Sequence, residues 1–414
     1  MLSVLLLLGE QMSKVEIQGI CAPGFEAVGE AFARNFSHYG ERGAAVAVRH
    51  RGEVVVDLWG GAADTAGRPW AEDTLAVVFS TTKGLAALCL HILADRGDIS
   101  FDAPVAQFWP EFAANGKGAN TVAMALSHQA GLPTWQGPLL ENALYDWDFA
   151  ARRLAEEAPL WEPGTAHGYH GLTIGWLEGE LVRRVTGRTI GAFFRTEVAE
   201  RLGADAWIGL PEVHHQRVAE LELAEPDMAS SFFRKIAEEP DWFGAKLVTN
   251  DGGDIRPASV NTARRRAMEH PSAGGVTNAR ALAHIYAPLS LDGALDGVRL
   301  VDEMALPAMR NVRSASSCDL ILRLPTTFTL GFSKTWGARS LGPGSHVILG
   351  EQAFGTPGMG GSIGFADGEA QLSFGYVMNR LGGGVGLNER GQGLVDAAYK
   401  AVGFRTSEPG FWVR

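Results

Sequence analysis

A serine and a lysine three residues apart introduce the most apolar helix-like segment of the chain, and this segment constrains the fold most strongly. Residues 78–84 read VFSTTKG, so Ser80 and Lys83 directly precede a run at 85–93 whose apolar residues have the spacing of a buried helix face. Gly97 stands where a helix of that length should end. The pattern predicts that Ser80 and Lys83 lie in the first turn of a core helix.

This spacing gives the pair a possible chemistry. Residues three apart on a helix have Cβ atoms roughly 5–6 Å apart, so the Lys83 amine can reach the Ser80 hydroxyl. A serine with a base in reach is a candidate nucleophile, and burial would lower the pKa of the lysine. The alternative is an N-cap serine followed by a solvated lysine, because S-x-x-K arises by chance in many chains. The apolar surroundings favour the pair, since an unpaired buried charge is costly.

Composition limits the kind of protein and its partners. The 414 residues are long enough for one composite unit or two closely joined domains, and 46% apolar with 20% charged residues is typical of a globular protein. The net charge of −11 argues against nucleic acid or an anionic membrane as the main partner. Cys21, Cys89 and Cys318 are scattered without a C-x-x-C motif, so we expect reduced thiols in a cytoplasmic protein.

The first residues resemble a signal peptide without having its parts. Residues 1–8 read MLSVLLLL, with no basic region before them and no A-x-A-like cleavage site after them. The run is also far shorter than the roughly 20 residues that a membrane-spanning helix needs. We expect Met12 to be the biological start and residues 1–11 to be a non-structural leader.

Strand patterns occur near both ends of the chain. Residues 44–48 and 54–59 are rich in valine and flank a turn at Arg51-Gly52, which indicates a β-hairpin. Residues 362–366 and 371–378 flank Asp367-Gly368 and indicate a second hairpin.

Helical patterns frame these strands and fill the middle of the sequence. Apolar residues recur at helical spacing over 25–36 and again over 394–402. We therefore predict an α/β fold of the α+β type, in which an antiparallel sheet built from both ends of the chain is flanked by N- and C-terminal helices. The predicted α/β domain covers 12–101 and 271–414, and 102–270 is a mostly helical inserted domain.

A second serine competes with Ser80 for the role of nucleophile. Ser362 lies in GGSIG, which matches the G-x-S-x-G nucleophile elbow of α/β-hydrolases. That elbow needs a strand-to-helix turn and a histidine later in the chain, whereas the last histidine is His346 and a strand pattern follows Ser362. We expect the glycines to permit close backbone approach at a sheet edge instead.

Four segments together resemble one protein family. STTK at 80–83, LSHQAGLP at 126–133, YHG at 169–171 and FGTPGMGGSIGFAD at 354–367 are similar to motifs of the serine β-lactamase-related family. The resemblance is closest to the family VIII carboxylesterases, which share the class C β-lactamase fold, and it runs from about Ile17 to the C-terminus.

The resemblance implies roles for individual residues. Ser80 would be the acylated nucleophile, Lys83 and Tyr169 would share the role of base, and the backbone N–H groups of Ser80 and Met359 would form an oxyanion hole. No cluster of His, Asp and Glu has metal-ligand spacing, and no G-x-G-x-x-G or P-loop motif is present, so we expect no metal and no cofactor. Tyr169 as a packed core residue is the alternative, and His128, His167 and His170 are expected to be structural or rim residues and not catalytic ones. The further candidates for contact with substrate are Thr356, Gly358, His170 and Trp135.

Two departures from the family pattern bear on the substrate. Gly171 replaces the asparagine of the lactamase Y-x-N triplet, and Thr356 stands where the lactamase K-T-G motif has its lysine. Lactamases use both groups to hold the lactam amide and carboxylate, so the resemblance favours a serine carboxylesterase acting on short-chain or compact esters. The alternatives are a β-lactamase, a D-aminopeptidase, an acyltransferase, or a catalytically silent ligand-binding member. The sequence leaves the natural substrate and the oligomeric state open.

Overall fold

The computed structural model describes residues 15–253, 256–407 and 410–414. The expected leader at 1–11 and the alternative start at Met12 lie outside these residues. None of the helices within the described ranges combines the length and the apolar character that a bilayer crossing requires.

Short strands are distributed along the chain, with the longest near the two ends. They are β1 Ile17–Cys21, β2 Gly43–His50, β3 Glu53–Gly61, β4 Ala76–Val77, β5 Ala206–Ile208, β6 Gly275–Thr277, β7 Ala294–Leu295, β8 Val298–Arg299, β9 Ser314–Ser316, β10 Thr326–Phe328, β11 Ala353–Pro357, β12 Ile363–Asp367, β13 Leu372–Met378, β14 Arg405–Thr406 and β15 Trp412–Val413.

Helices occupy much of the sequence between these strands. They are α1 Glu26–His38, α2 Thr82–Asp95, α3 Val105–Phe108, α4 Val122–Leu126, α5 Trp147–Glu156, α6 Thr173–Thr186, α7 Ile190–Phe194, α8 Glu200–Leu202, α9 Ser231–Glu238, α10 Lys246–Thr249, α11 Pro257–Val260, α12 Ala263–Ala267, α13 Ala279–Tyr286, α14 Leu306–Arg310 and α15 Glu389–Ala401.

The main sheet is built from both ends of the chain. Its six strands lie in the order β1-β3-β2-β13-β12-β11, and every neighbouring pair is antiparallel. β2 and β13 join the N-terminal and C-terminal halves at the centre of the sheet, where Val46 is opposite Tyr376. Both predicted hairpins are present, and the predicted fold class is confirmed.

Helices cover both faces of this sheet. Successive residues of a strand point to opposite faces, and on β13 the backbone of α13 packs directly over Gly375. The next residue, Tyr376, points the other way and donates a hydrogen bond to Glu41. Glu41 in turn pairs with Arg390 at the start of α15, which packs against α1. The terminal helices therefore share one face, and α13 covers the face turned toward the rest of the chain.

Helix α2 is the central helix of the fold. All its residues from Thr82 to Leu93 are buried, and it contacts α6, α7 and β11. Because a helix that is apolar on every side belongs in an interior, this burial follows from the sequence. Lys83 lies in the first turn, as expected, but Ser80 precedes the helix in a turn that follows Phe79, whose φ is +43°. A positive φ in a bulky residue is uncommon and strained.

The middle of the chain is mostly helical, but it also contributes one strand that we did not expect from the sequence. β5, Ala206–Ile208, pairs with β6, which also pairs with β4 to form a three-stranded sheet beside the start of α2. A three-residue strand is too short to produce a readable alternation, which explains why the sequence did not indicate it. The domain division at 102 and 270 stays a prediction.

Candidate active site

Three side chains meet at the N-terminal end of α2. The Lys83 Nζ donates a hydrogen bond to Ser80 Oγ over 3.0 Å, and the Tyr169 hydroxyl donates to the same oxygen over 2.9 Å. Lys83 Nζ also lies 5.0 Å from the centre of the Tyr169 ring. Two groups that can exchange protons thus contact a serine oxygen at once, which is the arrangement that an activated nucleophile needs.

The lysine is held in place by the segment that precedes β6. Its Nζ donates a second hydrogen bond to the carbonyl of Ser272 over 2.8 Å, while the Ser272 hydroxyl donates to the carbonyl of Leu172 over 2.7 Å. The Lys83 side chain is only 1% exposed. Burial lowers the pKa of Lys83 to about 7, because the charged ammonium loses its hydration there. At neutral pH a substantial fraction of this amine is therefore unprotonated.

Burial also disfavours the charged forms of two other titratable groups near the lysine. The Tyr169 ring is partly exposed, but burial around its hydroxyl raises the pKa of Tyr169, so the phenol keeps its proton. Glu178 of α6 is fully buried, and within the described residues neither carboxyl oxygen has a hydrogen-bond partner. Burial raises the pKa of Glu178 well above its ordinary value. Burial therefore disfavours the charged forms of both Lys83 and Glu178.

The backbone of Tyr169 is held in place by a residue that the sequence did not suggest. Asp319 Oδ1 accepts hydrogen bonds from the backbone N–H groups of Tyr169 at 3.1 Å, Ile321 at 2.7 Å and Leu322 at 2.8 Å. Its other oxygen accepts from the Thr326 hydroxyl at 3.0 Å. Asp319 stands alone between Cys318 and Leu320 without a motif, so nothing in the sequence marks it.

The backbone N–H groups of Ser80 and Met359 are available to a ligand. Across the described ranges neither makes a hydrogen bond to another group of the chain. The Met359 loop lies against the Ser80 turn, since a Cβ on Gly358 would overlap both the Val78 carbonyl and the Ser362 hydroxyl. Glycine is the residue that allows this close approach.

Ser362 joins these two loops through hydrogen bonds. Its Oγ donates to the Val78 carbonyl over 3.0 Å and lies 3.1 Å from Thr81 Oγ1. The side chain is 2% exposed and does not belong to the cavity lining found among the described residues. This placement agrees with the expectation that the G-x-S-x-G motif has a structural role.

A largely apolar cavity opens above Ser80. Together with the open solvent at its mouth, the cavity occupies about 800 Å³. Hydroxyl groups reach it from Ser80, Tyr169, Ser333 and Thr356, and no charged side chain belongs to the lining formed by the described residues. Its other lining residues are Phe79, Gly171, Leu172, Phe232, Phe233, Leu247, Val248, Ala273, Leu322, Phe328, Trp336, Pro357, Met359 and Val385.

Two expected substrate contacts lie elsewhere. In the described structure, the cavity lining does not include His170 or Trp135. Both ring nitrogens of His170 are used internally, since Nε2 accepts from the Leu132 N–H at 3.0 Å and Nδ1 is 2.7 Å from the Gly168 carbonyl. The Trp135 indole N–H donates to the Ala150 carbonyl at 3.2 Å. These two side chains therefore support the core, which corrects our expectation.

The other two expected contacts lie near Ser80. Thr356 lines the cavity, and its buried hydroxyl has no partner in the described part of the chain. Gly358 lies behind the lining, where it shapes the Met359 loop. No group of three or more His, Cys, Asp or Glu side chains in the described ranges is arranged to hold a metal ion.

Comparison with known proteins identifies the family of the chain. The profile of the beta-lactamase family matches residues 31–399. The chain is 37% identical over 374 residues to the esterase/beta-lactamase LipL of Mycobacterium tuberculosis, covering 88% of this chain and 83% of that protein.

Solved structures give the same result. A family VIII carboxylesterase is similar with a TM-score of 0.81 and 40% identity, covering 93% of this chain and 100% of that one. A penicillin-binding protein homologue from Caulobacter crescentus is similar with a TM-score of 0.81 and 39% identity, covering 93% and 99% of the two chains. The chain therefore belongs to the beta-lactamase family, and its resemblance to the family VIII carboxylesterases is confirmed.

Proposed function

We propose that this protein is a serine carboxylesterase that hydrolyses short-chain or compact esters through an acyl-enzyme on Ser80. The observation that carries the proposal is the position of Ser80 Oγ between Lys83 Nζ at 3.0 Å and the Tyr169 hydroxyl at 2.9 Å, beneath an uncharged cavity. The similarity to LipL and to a family VIII carboxylesterase supports it. A silent ligand-binding protein would have no need of this arrangement.

Acylation follows from the protonation states of the site. Neutral Lys83 accepts the Ser80 proton as Oγ attacks the ester carbonyl carbon. The carbonyl oxygen becomes an oxyanion and accepts hydrogen bonds from the N–H groups of Ser80 and Met359, which have no other acceptor among the described residues. The C–O bond to the alcohol then breaks, and Tyr169 passes a proton to the leaving oxygen while it regains one from the Lys83 ammonium.

Deacylation uses the same groups in reverse. A water molecule that enters from the cavity mouth gives its proton to the Lys83–Tyr169 pair and attacks the acyl carbon. The Ser80 C–O bond breaks, Ser80 regains that proton, and the carboxylic acid leaves and releases its own proton to the solvent. Because Tyr169 holds its proton strongly, Lys83 is the group that stores the proton between the steps.

The cavity favours esters over β-lactams. A bicyclic lactam carries a carboxylate, yet no cationic side chain lines the described cavity, and Thr356 offers only a hydroxyl. Gly171 removes a second polar group, the side-chain amide. Charge-assisted hydrogen bonds each contribute roughly 1.5–3 kcal/mol, so their loss lowers specificity for a lactam by about a hundredfold or more. A β-lactamase is the second candidate, because LipL is described as an esterase/beta-lactamase.

A panel of chromogenic substrates tests this ranking. We expect kcat/KM for p-nitrophenyl acetate or butyrate to exceed that for nitrocefin by at least about a hundredfold, with penicillins nearly inert. Comparable efficiencies on nitrocefin and the butyrate ester would make the lactamase assignment the better one. Ser80→Ala protein, purified in parallel, measures any contaminating esterase.

A further inference from the structure

One wall of the cavity is contributed by the middle of the chain. Phe232 and Phe233 of α9 reach the cavity together with Leu247 and Val248 of α10. All four side chains are apolar, and they face a cavity whose base is Ser80. This wall therefore contacts the part of a substrate that carries no polar groups.

The wall reaches the site because position 171 has no side chain. A Cβ added to Gly171 would overlap Leu247 Cδ1 and crowd Cδ2 and Cγ of the same leucine. Gly171 lies two residues after Tyr169, and Leu247 lines the same cavity as this tyrosine, which contacts Ser80. An apolar side chain thus fills the space that any larger residue at 171 would need.

Hydrogen bonds fix this wall to the rest of the protein. Asn250, which follows α10, donates through Nδ2 to the carbonyls of Trp135 at 2.8 Å and Gly137 at 2.9 Å, and its Oδ1 accepts from the Leu139 N–H at 2.7 Å. The Ser231 hydroxyl at the start of α9 donates to the Arg323 carbonyl over 2.9 Å. Leu247 therefore lies on a helix that hydrogen bonds hold in position. A wall that does not move limits the size of the group that the cavity can hold.

Burial indicates which part of the ester meets Leu247. The alcohol leaves before water attacks, whereas the acyl group stays bonded to Ser80 through both steps. The more closed part of the cavity therefore suits the acyl chain, and the open rim suits the departing alcohol. Leu247 is 9% exposed and Val248, its neighbour at the rim, is 39% exposed.

We propose that Leu247, whose position requires glycine at residue 171, limits the length of the acyl chain that this enzyme accepts. The proposal rests on the proposed esterase function and adds the residue that sets its substrate range. Leucine to alanine removes three carbons from the wall. Each additional buried methylene improves kcat/KM by about fourfold, so room for two more raises the ratio of octanoate to butyrate hydrolysis by about sixteenfold.

The test compares two substrate series across a small set of variants. p-Nitrophenyl esters from acetate to octanoate vary the acyl chain, and butyrate esters of methanol, butanol and octanol vary the alcohol. The variants are Leu247→Ala, the milder Leu247→Val, and Gly171→Ala, which drives Leu247 toward the cavity. Leu140→Ala is the matched control, since Leu140 is 80% exposed and outside the lining. Circular dichroism confirms that each variant is folded.

We expect the octanoate-to-butyrate ratio to rise about sixteenfold in Leu247→Ala, less in Leu247→Val, and to fall in Gly171→Ala. The alcohol series and the Leu140→Ala profile should stay unchanged. Acyl profiles that run parallel to the wild type in both Leu247 variants would overturn the proposal, as would a shift confined to the alcohol series. Absence of ester hydrolysis by the wild-type protein would refute the proposed function itself, and the size limit with it.

Discussion

The pH dependence of ester hydrolysis tests whether Lys83 acts as the base at neutral pH. With the pKa of Lys83 lowered to about 7, the neutral amine makes up about 9% of the enzyme at pH 6, about half at pH 7 and about 91% at pH 8. A lysine with the ordinary pKa near 10.4 would be less than about 1% neutral at pH 8. We therefore expect kcat/KM to rise about tenfold per pH unit below pH 6 and to level off above about pH 8.

The assay measures kcat/KM for p-nitrophenyl butyrate from pH 5 to 9.5 at constant ionic strength, with spontaneous hydrolysis subtracted. Glu178→Gln is the matched variant. Because burial raises the pKa of Glu178 and favours its neutral acid form, this substitution should leave the midpoint of the profile near pH 7. A rate that climbs steadily beyond pH 9 would refute the lowered pKa of Lys83. A midpoint that falls strongly in Glu178→Gln would show that the carboxyl is ionised.

The lowered pKa of Lys83 also predicts how the stability of the folded protein changes with pH, independently of catalysis. Between about pH 7 and the ordinary lysine pKa, the unfolded chain binds a proton at residue 83 that the folded protein does not. Stability from this residue therefore rises with pH, by about 1.4 kcal/mol per pH unit in that window. Urea unfolding of the wild type and Lys83→Met from pH 7.5 to 9.5 should show this difference in slope. Equal slopes would mean that Lys83 is protonated in the folded state.

The remaining predictions concern the other groups around Ser80. Ser80→Ala should abolish hydrolysis while Ser362→Ala keeps most of it, because the Ser362 hydroxyl is bound to the Val78 carbonyl; an organophosphonate adduct found on Ser362 by mass spectrometry would contradict this. Tyr169→Phe should lower kcat by several orders of magnitude with the fold intact, and a near-parental rate would assign the tyrosine to the core. Asp319→Ala should lower kcat by about a hundredfold with little change in KM, because a small displacement of Tyr169 misaligns its hydroxyl. Asp319→Asn, which keeps one carbonyl oxygen, should recover much of that loss, and equal damage in both variants would argue against positioning through this contact.

Structural features that are set by residues close together in the chain could be predicted from the sequence. The Ser80–Lys83 pair, the buried helix after it and both hairpins follow from spacings of two to four residues, and such spacings determine which side chains share a face. The chain ends could be placed in one sheet because each carries strand patterns that need a partner. The resemblance to a known family added Tyr169, 89 residues away from Ser80.

The surroundings of these groups were decided only by the tertiary structure. The Ser272 carbonyl that holds Lys83, the Asp319 carboxylate that holds Tyr169 and the Leu247 wall come from segments far apart in sequence. No local periodicity encodes such contacts, because they arise when separate elements pack. His170 and Trp135 show the same limit, since their residue types suit a binding site and only packing directs them into the core. Burial, which shifts the pKa of Lys83, is likewise a property of the folded chain.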